Sequence, residues 1–250
     1  MSVNSWTGGP VPAAGEPEPP TIRERYRAQV RHEIKQAALA QLAQAGPAGL
    51  SISAIGKQLG VSGPALYRYF ASRDELLTEL VIDAYHDLAA ALAAATRPPD
   101  AATRAAATRA SGQEPRARLQ ALARAYRSWA LAQPHRYRLL FGPPLPGYDA
   151  HAKRLVDASE EAMNQLVGVV RELGGGTAPS SSPPPEPLAS QLTAWAQSHD
   201  LGTDQAAALR AVQIWSRLHG IVSLELAGNF ASIGVDPDQL FDTELAALTS

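Results

Sequence analysis

The chain has 250 residues, 45% of them hydrophobic, a formal net charge of -2 at pH 7 and no cysteine. This composition is typical of a folded protein with one sizeable core or two small ones, and it excludes disulfides and thiolate metal sites. No apolar run approaches the ~20 residues that cross a bilayer. The N-terminus lacks the pattern of a signal peptide, so we expect a cytoplasmic protein without a membrane partner.

The first part of the chain predicts an arm followed by a long helix. Residues 1–20 are rich in proline and glycine and poor in large apolar side chains, which predicts disorder. From Thr21 to Ala45 the pattern becomes helical, and Gly46 with Pro47 ends it. The apolar residues that repeat every four positions are Ile22, Tyr26, Val30, Ile34, Ala38 and Leu42.

Basic residues are concentrated in the same region. Between Thr21 and Lys57 six basic side chains stand against two acidic ones, a local excess of +4 in a chain whose net charge is negative. Such a run is often only a solvated surface. Its position beside the motif described next favours contact with phosphates instead.

The stretch Ser51–Glu75 predicts two short helices joined by a tight turn. Apolar residues recur at helical spacing in 52–59, and Gly60 can take the left-handed conformation that ends a helix. Ser62 can cap a second helix that has Pro64 in its first turn. Two such helices form a helix-turn-helix, whose second member fits the major groove of DNA.

The run GVSGPALYRYFASRDELL resembles the DNA-binding signature of the tetracycline-repressor (TetR) family. In that signature a tyrosine and a following aromatic residue close the recognition helix, and a basic residue opens the next helix. Tyr67, Tyr69 and Arg73 hold these places here. The resemblance implies a three-helix DNA-binding head at residues 21–71 and a helical regulatory and dimerisation body at residues 72–250.

The candidate contacts with double-stranded DNA divide into two groups. Ser53 and Ser62, near helix starts, can donate to phosphates, and Tyr67 and Arg73 hold the backbone-contacting places of the resembled family. For Tyr67 and Tyr69, packing inside the head is the alternative. The second group lies on the recognition helix and is expected to reach base edges, with Arg68 reading guanine and Pro64 and Ala65 meeting a thymine methyl. Its members are Gly63, Pro64, Ala65 and Arg68.

The rest of the chain is predicted to be all-α, because no convincing strand alternation is found. Ser72 and Glu75 form a predicted capping box for a helix that runs to about Ala95. The stretch 96–114 is assigned as a linker or lid, and 174–187 as a flexible loop. Helices are predicted within 115–133, 137–141, 151–173, 188–195, 204–230 and 236–248.

Two further segments resemble the C-terminal domain of one branch of the same family. The segment IWSRLHGIVSLELAG is similar to its tryptophan, histidine, glycine (WHG) element, with Trp215, His219 and Gly220 in the matching places. The segment RYRLLFGPPLPGY resembles another part of that domain. The resemblance implies an effector pocket in the body.

Aromatic side chains are concentrated on the helices that would converge in the body. They predict a site for an apolar or aromatic small-molecule effector, although ordinary core packing is the alternative for each residue. The candidate ligand-binding residues are Tyr126, Trp129, Tyr137, Phe141, Trp195, Trp215 and His219.

The helix predicted over 204–230 is apolar around more of its circumference than one core requires. This excess predicts a homodimer with a four-helix interface; packing within the same subunit is the alternative. One face carries Leu209, Val212, Trp215 and Leu226, and the residues off that face are Ala208, Ala211, Leu218 and Leu224. The last helix adds Leu240, Leu245 and Leu248.

Nothing in the sequence points to catalysis. The six histidines form no metal-ligand spacing, and no nucleophile motif of the GxSxG kind occurs, so neither an enzyme nor a cofactor is expected. We expect a transcriptional repressor that binds a palindromic operator as a homodimer and is released by an effector. The alternative is a ligand-independent architectural DNA-binding protein, for which a pI near 6.3 supplies little basicity.

Overall fold

The computed structural model describes residues 21–97, 113–142, 148–149, 152–173, 184–199, 202 and 204–249. Within these ranges the chain forms helices and no strand, so the all-α prediction is confirmed. The helices are α1 Ile22–Ala45, α2 Ile52–Leu59, α3 Gly63–Leu66, α4 Arg73–Thr96, α5 Gln113–Ala132, α6 Pro134–Phe141, α7 Lys153–Glu172, α8 Leu188–Ser198, α9 Gln205–Leu226, α10 Asn229–Ser232 and α11 Pro237–Thr249.

Several predictions lie outside the described residues. These are the disordered arm at 1–20, most of the predicted linker at 96–114 and most of the predicted loop at 174–187. The described remainder of that loop, 184–187, precedes α8 without helical structure. None of the described helices is long and apolar enough to cross a membrane.

Helix α1 begins and ends where the sequence predicts. The Thr21 hydroxyl accepts a hydrogen bond from the Glu24 amide at 3.3 Å, and the Glu24 carboxylate accepts one from the Thr21 amide at 2.8 Å, which completes a capping box. The apolar stripe, however, is buried only in its second half. Ile22 and Tyr26 are 79% and 68% exposed, because the first two turns of α1 extend beyond the head core.

The turn between α2 and α3 depends on two glycines. Gly60 has φ 68° and ψ 22°, the left-handed conformation that the sequence predicted. Gly56 allows a close approach, since a Cβ there would lie 2.9 Å from the Val61 carbonyl oxygen and 3.2 Å from the Leu66 side chain. The side-chain cap predicted at Ser62 is wrong: α3 has no side-chain capping bond and lasts a single turn.

Helix α4 belongs to both halves of the molecule. Its first half contributes Leu76, Leu77 and Leu80 to the core of the head, and its second half contributes Leu88 and Leu92 to the core of the body. The Ser72 hydroxyl accepts from the Glu75 amide at 3.0 Å, but the Glu75 carboxylate accepts from the amide of Ala71 rather than that of Ser72. Half of the predicted capping box is therefore present.

In the body, the second half of α4 packs against α5 and α7, and α8, α9 and α11 complete the core on those helices. The single helix predicted over 204–230 is interrupted: α9 ends at Leu226, Gly228 takes a left-handed conformation with φ 77°, and the short α10 follows. Helix α6 lies between the two cores. Its Leu139 packs against the head cluster, while its Tyr137 is buried in the body cluster.

Candidate functional site

The recognition helix α3 is held to the head by two buried side chains. Leu66 and Phe70 are each 2% exposed and pack into the head core. Most side chains around them face solvent, because a one-turn helix anchored on one side leaves its other side exposed. The predicted DNA-contacting residues Ser53, Ser62, Pro64, Tyr67 and Arg68 are exposed, and Gly63 and Ala65 are half-exposed.

The two tyrosines of the signature have different environments. Tyr67 is 54% exposed beside the outward surface of α3. Tyr69 is half-buried against the head core, its carbonyl oxygen accepts from the Arg31 guanidinium, and the Arg27 guanidinium lies 5.9 Å from its ring centroid. The packing alternative therefore describes Tyr69 better than Tyr67. The DNA contacts of both remain predictions.

Arg73 has an internal function that the sequence did not reveal. Its Nε donates to the Leu50 carbonyl at 3.0 Å and its Nη2 donates to the Pro47 carbonyl at 2.6 Å. These bonds tie the 47–50 turn to the start of α4. The side chain is still 38% exposed, so its predicted phosphate contact stays a prediction beside this positioning role.

The basic residues that flank α3 are of two kinds. Arg23 and Arg25 stand on the exposed first turn of α1, and no ion pair forms at either within the described residues. Arg68, predicted to lie on the recognition helix, is in the turn that follows α3, and the Arg27 Nη2 donates to its carbonyl at 3.4 Å. Arg31 and Lys35 instead form ion pairs with acidic residues of α4. The excess charge available to DNA is thus smaller than the count in the sequence.

Glu79 of α4 forms ion pairs with three basic side chains. Its carboxylate lies 3.2 Å from Arg31, 3.2 Å from Lys35 and 2.6 Å from Arg154 at the start of α7. Partial burial would raise the pKa of the Glu79 carboxyl, but the hydrogen bonds and charges of these cations outweigh it and hold the pKa below its usual range. Because Arg31 also donates to the Tyr69 carbonyl, this cluster connects the body to the turn that follows the recognition helix.

The body contains a cavity of about 470 Å³ between α4, α5, α6, α7, α8 and α9. Its lining is mostly aliphatic and aromatic, with a few polar groups, which is the usual composition of a small-molecule site. The lining residues are Tyr85, Leu88, Leu92, Leu122, Tyr126, Phe141, Val156, Ser159, Glu160, Ala162, Met163, Leu166, Trp195, Ser198, His199, Trp215 and Leu218.

Four of the seven predicted ligand-binding residues line this cavity: Tyr126, Phe141, Trp195 and Trp215. Trp129 does not, and its indole N–H donates instead to the carboxylate of Asp87 on α4 at 2.8 Å. Tyr137 and His219 form a layer behind the cavity wall rather than the wall itself.

That layer is centred on the His219 imidazole. The hydroxyls of Tyr126 and Tyr137 lie 3.2 and 3.1 Å from its Nδ1, and the ring stacks between Tyr137 and Trp215 with centroid distances of 5.7 Å to each. Burial lowers the pKa of His219 and raises the pKa of Tyr126, so burial favours the uncharged form of each group. Helices α5, α6 and α9 are thereby joined next to the cavity.

Sequence reasoning missed the contributions of α4, α7 and the end of α8 to the cavity. Tyr85 is spaced at helical intervals from Leu88 and Leu92, and this spacing could have predicted that all three lie on the helix face that lines the cavity. Glu160 and His199 gave no such signal, because charged and polar residues at a cavity rim have the same pattern as a solvated surface.

The predicted dimer face of α9 needs correction. Ala208, Ala211 and Leu218 are buried inside the subunit, as are Leu245 and Leu248 of α11, because the small alanines let neighbouring helices approach α9 closely. Leu209 and Leu226 are partly buried on the body core. The exposed apolar residues of α9 are Trp215, at 38%, and Leu224, at 44%.

Metal binding finds no support in the described part of the chain, where no group of His, Asp or Glu side chains is arranged to hold an ion.

Comparisons with known proteins assign the N-terminal and the C-terminal part of the chain to the same family. Residues 34–80 match the profile of bacterial regulatory proteins of the tetR family, and residues 119–248 match a tetracyclin repressor-like C-terminal domain. The HTH-type transcriptional regulator Rv1816 of Mycobacterium tuberculosis is 31% identical over 231 residues, which cover 91% of this chain and 94% of that protein.

Solved structures show the same fold. The regulatory protein SCO4313 has a TM-score of 0.73 and 42% identity, and the alignment covers 91% of this chain and 98% of that one. The transcriptional regulator FadR from Bacillus subtilis, solved with stearoyl-CoA, has a TM-score of 0.56 and 15% identity, with 88% and 97% covered. At that identity the likeness to FadR concerns the fold alone.

Proposed function

Because the chain belongs to the tetracycline-repressor family and is a DNA-binding transcriptional regulator rather than an enzyme, we propose that it represses its target genes. In this proposal residues 21–71 bind DNA, and residues 72–250 bind a small apolar or aromatic effector and form the dimer. A homodimer binds a palindromic operator in the cytoplasm, and the effector releases it. The observation that carries the proposal is a hollow body whose cavity wall shares helices with the head.

The outward surface of α3 and of the turn after it supports sequence-specific contact. Arg68 is exposed, its side chain has no ion pair among the described residues, and it follows the half-exposed Ala65 on the outward surface. A guanidinium in that place can donate two bonds to guanine in the major groove. Ser53 and Ser62, with Tyr67, are placed to contact phosphates on either side, while Tyr69 and Arg73 position the surface.

Two helices support coupling between the cavity and the head. Helix α4 lines the cavity with Tyr85, Leu88 and Leu92 and enters the head core with Leu76 and Leu77. Helix α6 lines the cavity with Phe141 and packs on the head with Leu139. A ligand that binds one arrangement of these helices more tightly will shift the head toward that arrangement.

A two-fold dimer is supported by the surface that α9 leaves uncovered. Trp215 and Leu224 are exposed there, with Gly220 between them in sequence. A single α3 reads one half-site, and specific affinity at physiological salt usually needs two half-sites read by a symmetric pair. Leu224→Glu should therefore give a folded monomer that loses operator affinity, whereas Leu131→Glu, at a 40% exposed leucine of α5, should remain dimeric.

The alternative is an architectural DNA-binding protein that responds to no ligand. The cavity argues against this alternative, because protein interiors are normally close-packed and a void of this size is unusual in a protein that binds no ligand. FadR, which has the same fold, was solved in complex with stearoyl-CoA, and this supports a body that binds a ligand.

Recovery of bound genomic fragments, followed by fluorescence anisotropy on an enriched duplex, tests the proposal. Arg68→Ala should lower affinity by roughly 10- to 100-fold and relax preference at one base pair. The control is Arg171→Ala, an exposed arginine at the end of α7, which should leave affinity unchanged. Equal binding of all duplexes by the wild type would favour the architectural alternative.

A further inference from the structure

The cavity has an uneven distribution of charge. Five aromatic rings line it, from Tyr85, Tyr126, Phe141, Trp195 and Trp215. Among the described residues the lining contains one carboxylate, that of Glu160, and neither lysine nor arginine. The other lining residues with polar atoms are Ser159, Ser198 and His199, together with the tyrosines and tryptophans.

The Glu160 carboxylate is available to a ligand. No hydrogen bond or ion pair to it forms within the described part of the chain, and its electrostatic neighbour on α7 is Lys153. The Lys153 ammonium is already held by both oxygens of Asp157, at 2.7 and 2.8 Å. The next residue, Glu161, differs: it lies outside the cavity lining and 3.6 Å from the His86 imidazole.

Aromatic faces and a carboxylate attract the same kind of guest. The face of an indole, phenol or phenyl ring carries negative potential and attracts an organic cation within about 6 Å. An anionic guest would lose its hydration beside Glu160 without gaining a cationic partner, which is unfavourable. A neutral guest would gain only the apolar contacts.

We propose that the cavity takes an organic cation, a quaternary ammonium or protonated amine on an apolar body, with its charge between the aromatic rings and Glu160. This inference rests on the proposed function, because it names the class of effector for that same cavity. The volume of about 470 Å³ lies within the ~300–1,000 Å³ range of small-molecule sites.

Three probes with the same ten-carbon chain separate the ligand classes: decyltrimethylammonium, 1-decanol and decanoate. Binding to the full-length protein is measured by calorimetry at pH 8, where an ordinary imidazole is uncharged, and below the micelle concentration. The cation should bind about tenfold more tightly than the alcohol, and decanoate more weakly than both. Each probe is then added to the protein–DNA complex, and release is followed by anisotropy.

Two matched variants assign the preference to one carboxylate. Because Glu160 is exposed at the cavity rim, Glu160→Gln should bind the cation about two- to fivefold more weakly while its affinity for 1-decanol stays unchanged. Glu161→Gln removes the same charge one residue along α7, outside the cavity lining, and should keep the wild-type order. An unchanged thermal unfolding curve shows that either variant is folded.

The outcomes separate this inference from the proposed function. Decanol or decanoate binding as tightly as the cation would overturn the inference, and so would equal loss of the cation in both variants or no binding of any probe. Release of DNA by decanoate alone would overturn the inference and leave the effector function standing. Tight, Glu160-dependent binding of the cation without any change in DNA affinity would keep the ligand class and overturn the effector function.

Discussion

The two hydrophobic cores of this regulator differ in how completely they are filled. The hollow between Ile34, Ile55, Leu66 and Phe70 in the head has no room for a water molecule, whereas the body core encloses about 470 Å³. Both are built from apolar side chains on helices. A filled core holds the outward surface of α3 in one position, and an unfilled core leaves room for a guest that can change the arrangement of its walls.

The largest expected difference between the cores concerns leucine truncation. Leu77 is fully buried in the head, so Leu77→Ala should destabilise by ~4 kcal/mol, because it removes contacts on all sides. Leu122 is 3% exposed but faces the existing cavity, so Leu122→Ala should cost only ~2 kcal/mol. Urea unfolding followed by circular dichroism measures both. Equal costs would mean that the body core is as tightly packed as the head.

A second contrast lies inside the head, between two glycines of the helix-turn-helix. Gly56→Ala places a methyl group 2.9 Å from the Val61 carbonyl oxygen and should destabilise by ~1–3 kcal/mol and weaken DNA binding. Gly63→Ala meets no atom within 4 Å, so its unfolding free energy should stay within ~0.5 kcal/mol of the wild type. If both variants unfold like the wild type, the close approach of α2 and α3 is not what the structure indicates.

The ion pairs that join α1 of the head to α7 of the body depend on the Glu79 carboxylate. Glu79→Gln removes the charge that holds Arg31, Lys35 and Arg154, and should destabilise by ~1–2 kcal/mol at pH 7, less in high salt. Glu160→Gln, at an exposed glutamate without such partners, is the control and should cost almost nothing.

The Glu79 contribution should also depend on pH. The pKa of Glu79 is lowered in the folded protein, so its stabilisation is fully present above its ordinary value of 4.5 and is lost as the pH falls through the folded value. The difference between wild type and Glu79→Gln should therefore shrink below pH 4.5. A difference that stays constant from pH 7 to pH 3 would rule out the carboxylate as its source.

The head was more predictable from sequence than the body. Local signals define it: Thr21 begins α1, Gly60 ends α2, and Leu66 and Phe70 have the spacing of one buried face. Each of these signals acts within a few residues of chain. The close approach at Gly56 was missed because it depends on where the turn brings Val61, which no local pattern shows.

In the body, periodicity indicated helices but not which face meets which partner. Helix α9 is apolar on two sides, and its small residues were assigned to a dimer face although Ala208 and Ala211 pack inside the subunit. Trp129 was predicted to contact the ligand because it is one of the aromatic residues of the body helices. Its hydrogen bond to Asp87 of α4 shows that its indole N–H faces a different partner. Charged cavity residues such as Glu160 cannot be told from a solvated surface without the fold.

The central claim is that a ligand in the body cavity weakens DNA binding, and the most direct test is to fill that cavity with a larger side chain. Ala162 is buried on α7 and lines the cavity, so Ala162→Phe should occupy part of the empty space and raise stability by ~1 kcal/mol. Anisotropy on an enriched duplex then compares wild type and variant with and without a cavity ligand. We predict that the ligand weakens DNA binding by the wild type at least tenfold, whereas the variant binds DNA equally well in both conditions. A wild type whose DNA affinity is unchanged by a bound cavity ligand would contradict the account.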